Sequence, residues 1–244
     1  MSDQYIEPMS PTLGRAVWRR PLFTLCEVCR READARLCTP CLERFAAPCR
    51  RCRRCALVLA GSADLCGDCQ RQPPAFERSV CAVDYVFPWN QLIVDFKFHA
   101  MVELAAPLAA MLSRAVLAAG ATRPDLVLPV PLSPQRLAER GFNQAWELAR
   151  RVAVTQGLRA SPQLLQRVLD TAHQTELGRV QRRANLRAAL VVPVARHADL
   201  RGRNLALVDD VMTTGATADE ASQALLRAGA ASVQLWVVAR TPAA

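Results

Sequence analysis

Nine of the chain's ten cysteines lie within 44 residues, from Cys26 to Cys69. That stretch holds too few apolar side chains for an independent core, so something else must staple it. The cysteines come in pairs. Cys26-x2-Cys29 and Cys38-x2-Cys41 make one complete four-thiolate set; Cys52-x2-Cys55 and Cys66-x2-Cys69 make a second. A two-residue gap lets a tight turn offer both sulfurs to one tetrahedral Zn²⁺, at about 2.3 Å each. Cys49-x2-Cys52 is a competing pair. Cys52 with Cys55 is preferred because it leaves two closed sets and a spare Cys49. Spacing alone also admits a cross-braced arrangement, with alternate pairs sharing an ion. Cys81 falls in a β-prone apolar run and reads as core. Four thiolates fill a tetrahedron, so the expected role of the two Zn²⁺ is structural.

Disulfides would be the other use of so many thiols, but they belong to exported chains. Before the first apolar run come Glu7, two prolines and Trp18-Arg19-Arg20, unlike a secretory signal. A reducing cytoplasm is therefore the expected compartment. No run approaches the roughly 20 apolar residues of a membrane-spanning helix, so membrane insertion is not expected. The formal charge of +9 counts thiols as neutral, and two zinc–tetrathiolate sites would lower it to about +5. That surplus permits nucleic-acid contact without arguing for it. Arg50, Arg51, Arg53 and Arg54 crowd around Cys52. The plain reading is compensation of thiolate charge; the sharper one is a single-stranded-DNA contact, weakened because Phe45 is the one nearby aromatic able to stack on bases.

Residues 1–25 form an irregular lead-in, 26–72 the double Cys₄ zinc-ribbon domain, and 76–244 an α/β domain. The prolines of Gln70-Arg71-Gln72-Pro73-Pro74 mark the linker. Residues 80–87 are β-prone, and 92–98 continue apolar, broken by Asp95 and Lys97. Residues 100–119 have helical spacing, and 126–130 form a short strand. Ser133 suits the cap of a helix running to about Thr155. A buried strand over 204–208, a helix over 216–227 and a β-rich run over 232–239 follow. Strands alternating with helices predict a mostly parallel sheet covered by helices.

The strand Leu205-Ala206-Leu207-Val208 ends on Asp209-Asp210, and Val211-Met212-Thr213-Thr214-Gly215-Ala216-Thr217 leads into a helix. In open parallel sheets, ligands bind beyond the carboxyl ends of strands, where a helix N-terminus offers free N–H groups to an anion. Gly215 lets the backbone curl, and the threonine hydroxyls add donors. The loop suits a phosphate monoester. Asp209 and Asp210 would repel that phosphate, so they must serve neighbouring hydroxyls on a ribose, with Mg²⁺.

This run resembles the type I phosphoribosyltransferase signature. Three further pieces are Asp95-Phe96-Lys97-Phe98; Pro129-Val130-Pro131-Leu132 leading to Arg136 and Arg140-Gly141-Phe142-Asn143-Gln144; and Gln174 with Arg183 and Asn185. With the paired cysteines ahead of them, the chain from about Cys26 to Arg240 resembles the ComF family, including its ComFC and GntX-like members. The resemblance implies a type I phosphoribosyltransferase-like parallel sheet. It also implies that Thr213, Thr214, Gly215, Ala216 and Thr217 hold the 5′-phosphate of phosphoribosyl pyrophosphate (PRPP), and that Asp209 and Asp210 hold its ribose hydroxyls. Charge complementarity directs the pyrophosphate to Lys97, Arg136 and Arg140. Lys97, the one lysine beside 30 arginines, sits between Phe96 and Phe98 in a setting that suits a sheet edge. Gln144, one helical turn after Arg140, is expected on the same face.

Two functions are compatible with these residues. One is a phosphoribosyltransferase whose acceptor no motif identifies. The other is a non-catalytic accessory of DNA uptake in natural transformation, which senses PRPP and contacts single-stranded DNA or a helicase of the competence machinery. The sequence fixes no oligomeric state.

Overall fold

The computed structural model describes residues 24–168 and 189–243. Most of the lead-in, and Gln174, Arg183 and Asn185, lie outside the described residues. The cysteine-rich part is built from short pieces: strands β1 (Thr24–Leu25) and β2 (Glu32–Ala33), then helices α1 (Thr39–Phe45) and α2 (Gly67–Arg71). Next come strand β3 (Arg78–Asp84), helices α3 (Trp89–Phe98) and α4 (Ala105–Ala118), strand β4 (Leu126–Pro129), and helices α5 (Pro134–Arg140) and α6 (Gln144–Gln156). An antiparallel pair of two-residue strands, β5 (Gln166–Arg167) and β6 (Leu190–Val191), precedes α7 (His197–Leu200), β7 (Asn204–Met212), α8 (Ala216–Arg227) and β8 (Ser232–Arg240).

The main sheet has the order β3-β8-β7-β4, with all three pairings parallel. Every carboxyl end therefore lies along one edge. Successive strand residues point to opposite faces, and both faces of this sheet are covered. Ala206, Val208, Trp236 and Val238 join Leu92, Phe96, Leu112 and Leu148 from α3, α4 and α6. Leu205, Leu207, Leu235 and Val237 join Ala221 and Leu225 of α8. Burial on both sides is why residues 205–208 of β7 and 235–239 of β8 read as unbroken apolar runs rather than alternating ones.

Two local expectations fail for identifiable reasons. Residues 92–98 are not an extension of the first strand: they complete α3, with Leu92, Ile93 and Phe96 buried. Lys97 is thus a helical residue and not at a sheet edge. The helix expected from Ser133 to Thr155 is two helices. Ser133 does cap α5, its Oγ accepting from the Arg136 amide at 3.3 Å. Gly141 then ends α5 at a φ of +76°, a conformation favourable only without a Cβ. Asn143 opens α6, with Oδ1 accepting from the amides of Ala145 (2.9 Å) and Trp146 (3.3 Å). Its Nδ2 donates to the Val130 carbonyl at 3.2 Å, holding the new helix to the end of β4.

Candidate functional site

Each cysteine set closes on itself. Cys26, Cys29, Cys38 and Cys41 bring their sulfurs within 4.8 Å of one another, as do Cys52, Cys55, Cys66 and Cys69. The pairing is sequential, not cross-braced, and exposed Cys49 belongs to neither set. Sulfurs bound at about 2.3 Å to one tetrahedral ion would sit about 3.8 Å apart. Cys29 and Cys38 sulfurs lie 3.8 Å apart, and those of Cys55 and Cys66 3.5 Å. Both first pairs turn alike: Arg30 (φ +58°) and Ala56 (φ +57°) each follow the second cysteine and donate to the carbonyl of the first at 2.8 Å. Burial raises the Cys26 and Cys52 thiols, but surrounding backbone amides outweigh it and bring them down to about 6 and about 7. Burial pushes Cys55 up to about 11, and Cys41 and Cys69 are raised as well. Four thiols cannot all ionise this close together without a cation, so each set could hold one.

The arginines around Cys52 are largely spent on the protein itself. Arg50 donates to the carbonyls of Gly61 (2.5 Å) and Ser62 (2.8 Å). Arg51 binds Asp84 at 2.6 Å, and Arg54 the Pro74 carbonyl at 2.8 Å. Arg50 and Arg53 are exposed, while Arg51 and Arg54 are half-buried.

The second candidate site lies where β7 ends. Gly215 takes a φ of +83° and turns the chain into α8. Thr214 Oγ1 accepts from the Ala216 amide at 3.3 Å. A cleft of about 310 Å³ is lined by Asp209, residues 211–218, Leu235 and Val237. All five residues expected to cradle a phosphate line it. Asp209 and Asp210 point to opposite faces of the strand and meet different surroundings. Asp209 keeps part of its surface open beside the loop and accepts the Asp210 amide at 2.9 Å. Burial, and then the like charge of Asp210, holds its carboxyl well above the usual range, with Lys97 pulling the other way. Asp210 is 3% exposed. Its Oδ1 accepts the Val211 amide at 2.7 Å, and its Oδ2 lies 2.9 Å from Lys97 Nζ. That ammonium is at ion-pair distance but is not aligned as a hydrogen-bond donor, and among the described residues no other group donates to this oxygen.

Lys97 also faces a second space. An open pocket is lined by Lys97, Phe98, Ala100, Arg136, Glu139 and Arg140. The Arg140 guanidinium stacks over the exposed Phe98 ring at 4.7 Å, a cation–π contact that holds a planar donor fork in place. The three cations picked out in the sequence therefore converge, from the end of α3 and from α5. Gln144 does not join them. It opens α6 on the far side of the Gly141 break and is buried, its Oε1 without a hydrogen-bond partner. Sequence reasoning also passed over Arg240. This buried side chain donates to the Met212 carbonyl (3.1 Å) and the Thr213 carbonyl at the base of the loop. A lone arginine closing an otherwise apolar strand was the available signal.

The DNA utilization protein YhgH of Salmonella typhimurium is 37% identical to this chain over 226 residues, spanning 89% of this chain and 97% of the relative. Competence protein F of Haemophilus influenzae is 34% identical over 193 residues, 78% of this chain and 84% of that one. The chain belongs to the ComF family. Competence protein ComFC of Bacillus subtilis, another ComF member, is 35% identical over 117 residues, 48% of this chain and 45% of that protein. No family model matches the chain. Among solved structures, the glutamine PRPP amidotransferase of B. subtilis complexed with ADP and GMP aligns at a TM-score of 0.38 and 20% identity, over 55% of this chain and 25% of that one. TT1426 of Thermus thermophilus aligns at 0.32 and 22%, over 57% and 83%. Among the described residues, no helix is long and apolar enough to cross a membrane.

Two outcomes follow for the ComF chain. Purified protein with Cys49→Ser should keep two zinc ions by elemental analysis, whereas Cys55→Ser should lose one; loss in the Cys49 variant would reassign the ligands. Asp209→Asn should raise the melting temperature at pH 7 by about 2 °C, because a carboxyl whose native pKa is raised destabilises the fold once it ionises. The gain should shrink as the pH falls through about 4, below which native and unfolded carboxyls both hold protons. A gain that grows on acidification would contradict the sign.

Proposed function

We propose that the end of β7 binds PRPP with Mg²⁺, in a protein that acts in the handling of incoming DNA. The observation that carries this reading is the double position of Lys97. It neutralises Asp210 at 2.9 Å and lines the cavity that holds Arg136 and Arg140. PRPP has a phosphate at one end, a vicinal diol in the middle and a pyrophosphate at the other end. The structure offers, in the same order, a loop at a helix N-terminus, two carboxylates and a cluster of three cations. Threonine hydroxyls and loop amides would take the 5′-phosphate. Asp209 and Asp210 would accept from the ribose hydroxyls and share the divalent cation, whose charge restores the ionised form of Asp209. Arginine forks match pyrophosphate oxygens in bidentate fashion. Mg²⁺ would supply neutralisation of the leaving pyrophosphate if the site turns over.

Three features support the wider assignment. Relatives spanning most of this chain carry the names DNA utilization protein and competence protein. The two cysteine clusters suit structural zinc. With Arg50, Arg51 and Arg54 committed to protein groups, the arginine patch serves first to hold the zinc-bearing part together. A DNA or helicase contact there would draw on the exposed Arg53 and on Arg50, which is exposed but already donates to the Gly61 and Ser62 carbonyls.

Thermal shift in Mg²⁺ should show stabilisation by PRPP, and Asp209→Ala/Asp210→Ala should abolish it. Arg140→Ala should weaken binding at least about tenfold, the cost of one lost charge-assisted contact. No shift with PRPP would refute the reading. Pyrophosphate release on offering purine, pyrimidine or amine acceptors would mark a transferase. Tight binding without release would mark a sensing role.

A further inference from the structure

The phosphate loop is fastened at both ends to the second cysteine cluster. Arg240 closes β8 and is 7% exposed. Its Nε donates to the carbonyl of Cys55 at 2.9 Å, while Nη1 donates to the carbonyls of Met212 (3.1 Å), Thr213 and Thr241 (2.6 Å). One rigid guanidinium thus spans from a cysteine of the second set to the first residue of the loop. On the loop's far side, Asp219 in the first turn of α8 accepts the Ala75 amide at 2.6 Å. Ala75 follows Pro74, whose carbonyl accepts from Arg54, the residue before Cys55. The first cluster is fastened elsewhere: Trp89 Nε1, at the start of α3, donates to the Phe45 carbonyl at 2.7 Å, at the opposite end of that helix from Lys97.

The position of the Cys55 carbonyl depends on how its knuckle is closed. The sulfurs of Cys55 and Cys66 lie 3.5 Å apart, and the Cys66 amide donates to Cys52 Sγ at 3.3 Å. A tetrahedral ion would fix all four ligands and with them the backbone between Cys52 and Ala56. We propose that Arg240 is a positioning residue that couples metal occupancy of the second cluster to the shape of the phosphate loop. Filling either site then strengthens the other. This rests on the reading of the loop as a phosphate site. Coupling between sites is reciprocal, so ligand on the loop must also retain metal at Cys52, Cys55, Cys66 and Cys69. Lysine cannot replace Arg240, because a point charge cannot reach carbonyls on both sides with fixed geometry.

The test follows zinc release from the full-length, zinc-loaded chain to a chromogenic chelator, in Mg²⁺ with and without PRPP. Bound PRPP should slow the loss of one of the two ions by about fivefold or more and leave the other unchanged. Arg240→Lys and Arg240→Gln should still hold two zinc ions but lose the protection, and should bind PRPP more weakly. Equal release rates with and without bound PRPP, or protection that survives in the Arg240 variants, would overturn the coupling. If PRPP does not bind, the functional reading falls and amide exchange decides the coupling separately. Exchange over residues 213–218 should accelerate in Cys66→Ser, which breaks the second cluster, and not in Cys38→Ser, which breaks the first. Equal exchange in both overturns the proposal. These two arms also decide it if the Arg240 variants do not fold.

Discussion

Two adjacent carboxylates at the end of a buried strand cannot both be charged in the same place without a cation between or beside them. The strand's own geometry separates them. Side chains alternate along β7, so Asp209 turns toward the loop cleft and Asp210 toward the end of α3. Each then finds a different solution. Asp210 takes Lys97 as its counter-ion, and Asp209 has its proton affinity raised by burial and by its neighbour. The division lays out the rest of the site: a glycine turn at a helix N-terminus on one side of the pair, a basic cavity on the other.

Supplying that cavity requires residues from separate parts of the chain. Lys97 comes from the last turn of α3, and Arg136 and Arg140 come from the short helix α5 beyond β4. The parallel sheet makes this convergence ordinary, because all its strands deliver their following segments to one edge. Phe96 anchors α3 by burial, while Phe98 stays exposed and offers its ring to Arg140. The same edge receives the cysteine-rich part, tied there through Arg51 to Asp84 and through Arg240 to Cys55.

Much of this was legible in the residues, and the reasons differ from element to element. β7 and α8 could be read because apolar strand, carboxylates, glycine turn and helix are all local signals. The cysteine sets could be read because ligand spacing is a property of the metal; the structure adds that they close sequentially and leave Cys49 out. α3 was obscured because Phe-Lys-Phe alternates like a strand, and its helical face appears only when Leu92, Ile93 and Phe96 are seen against the sheet. The break between α5 and α6 depended on a left-handed glycine and an asparagine cap whose partners lie on β4. Arg240 gave only the faint signal of an arginine closing a mostly apolar strand, because its main partners are non-local: the Met212, Thr213 and Cys55 carbonyls are brought to it by parallel pairing of β8 with β7 and by the docking of a cysteine knuckle.

On the proposed reading, one ligand spans the loop, the carboxylate pair and the basic cavity together. Phosphorus NMR of PRPP reports its 5′-phosphate and its pyrophosphate as separate signals. On adding the protein in Mg²⁺, both the 5′-phosphate and the pyrophosphate resonances should shift or broaden together. Lys97→Met should reduce the effect on the pyrophosphate and spare the 5′-phosphate. Perturbation of the pyrophosphate alone, or of neither, would contradict the account.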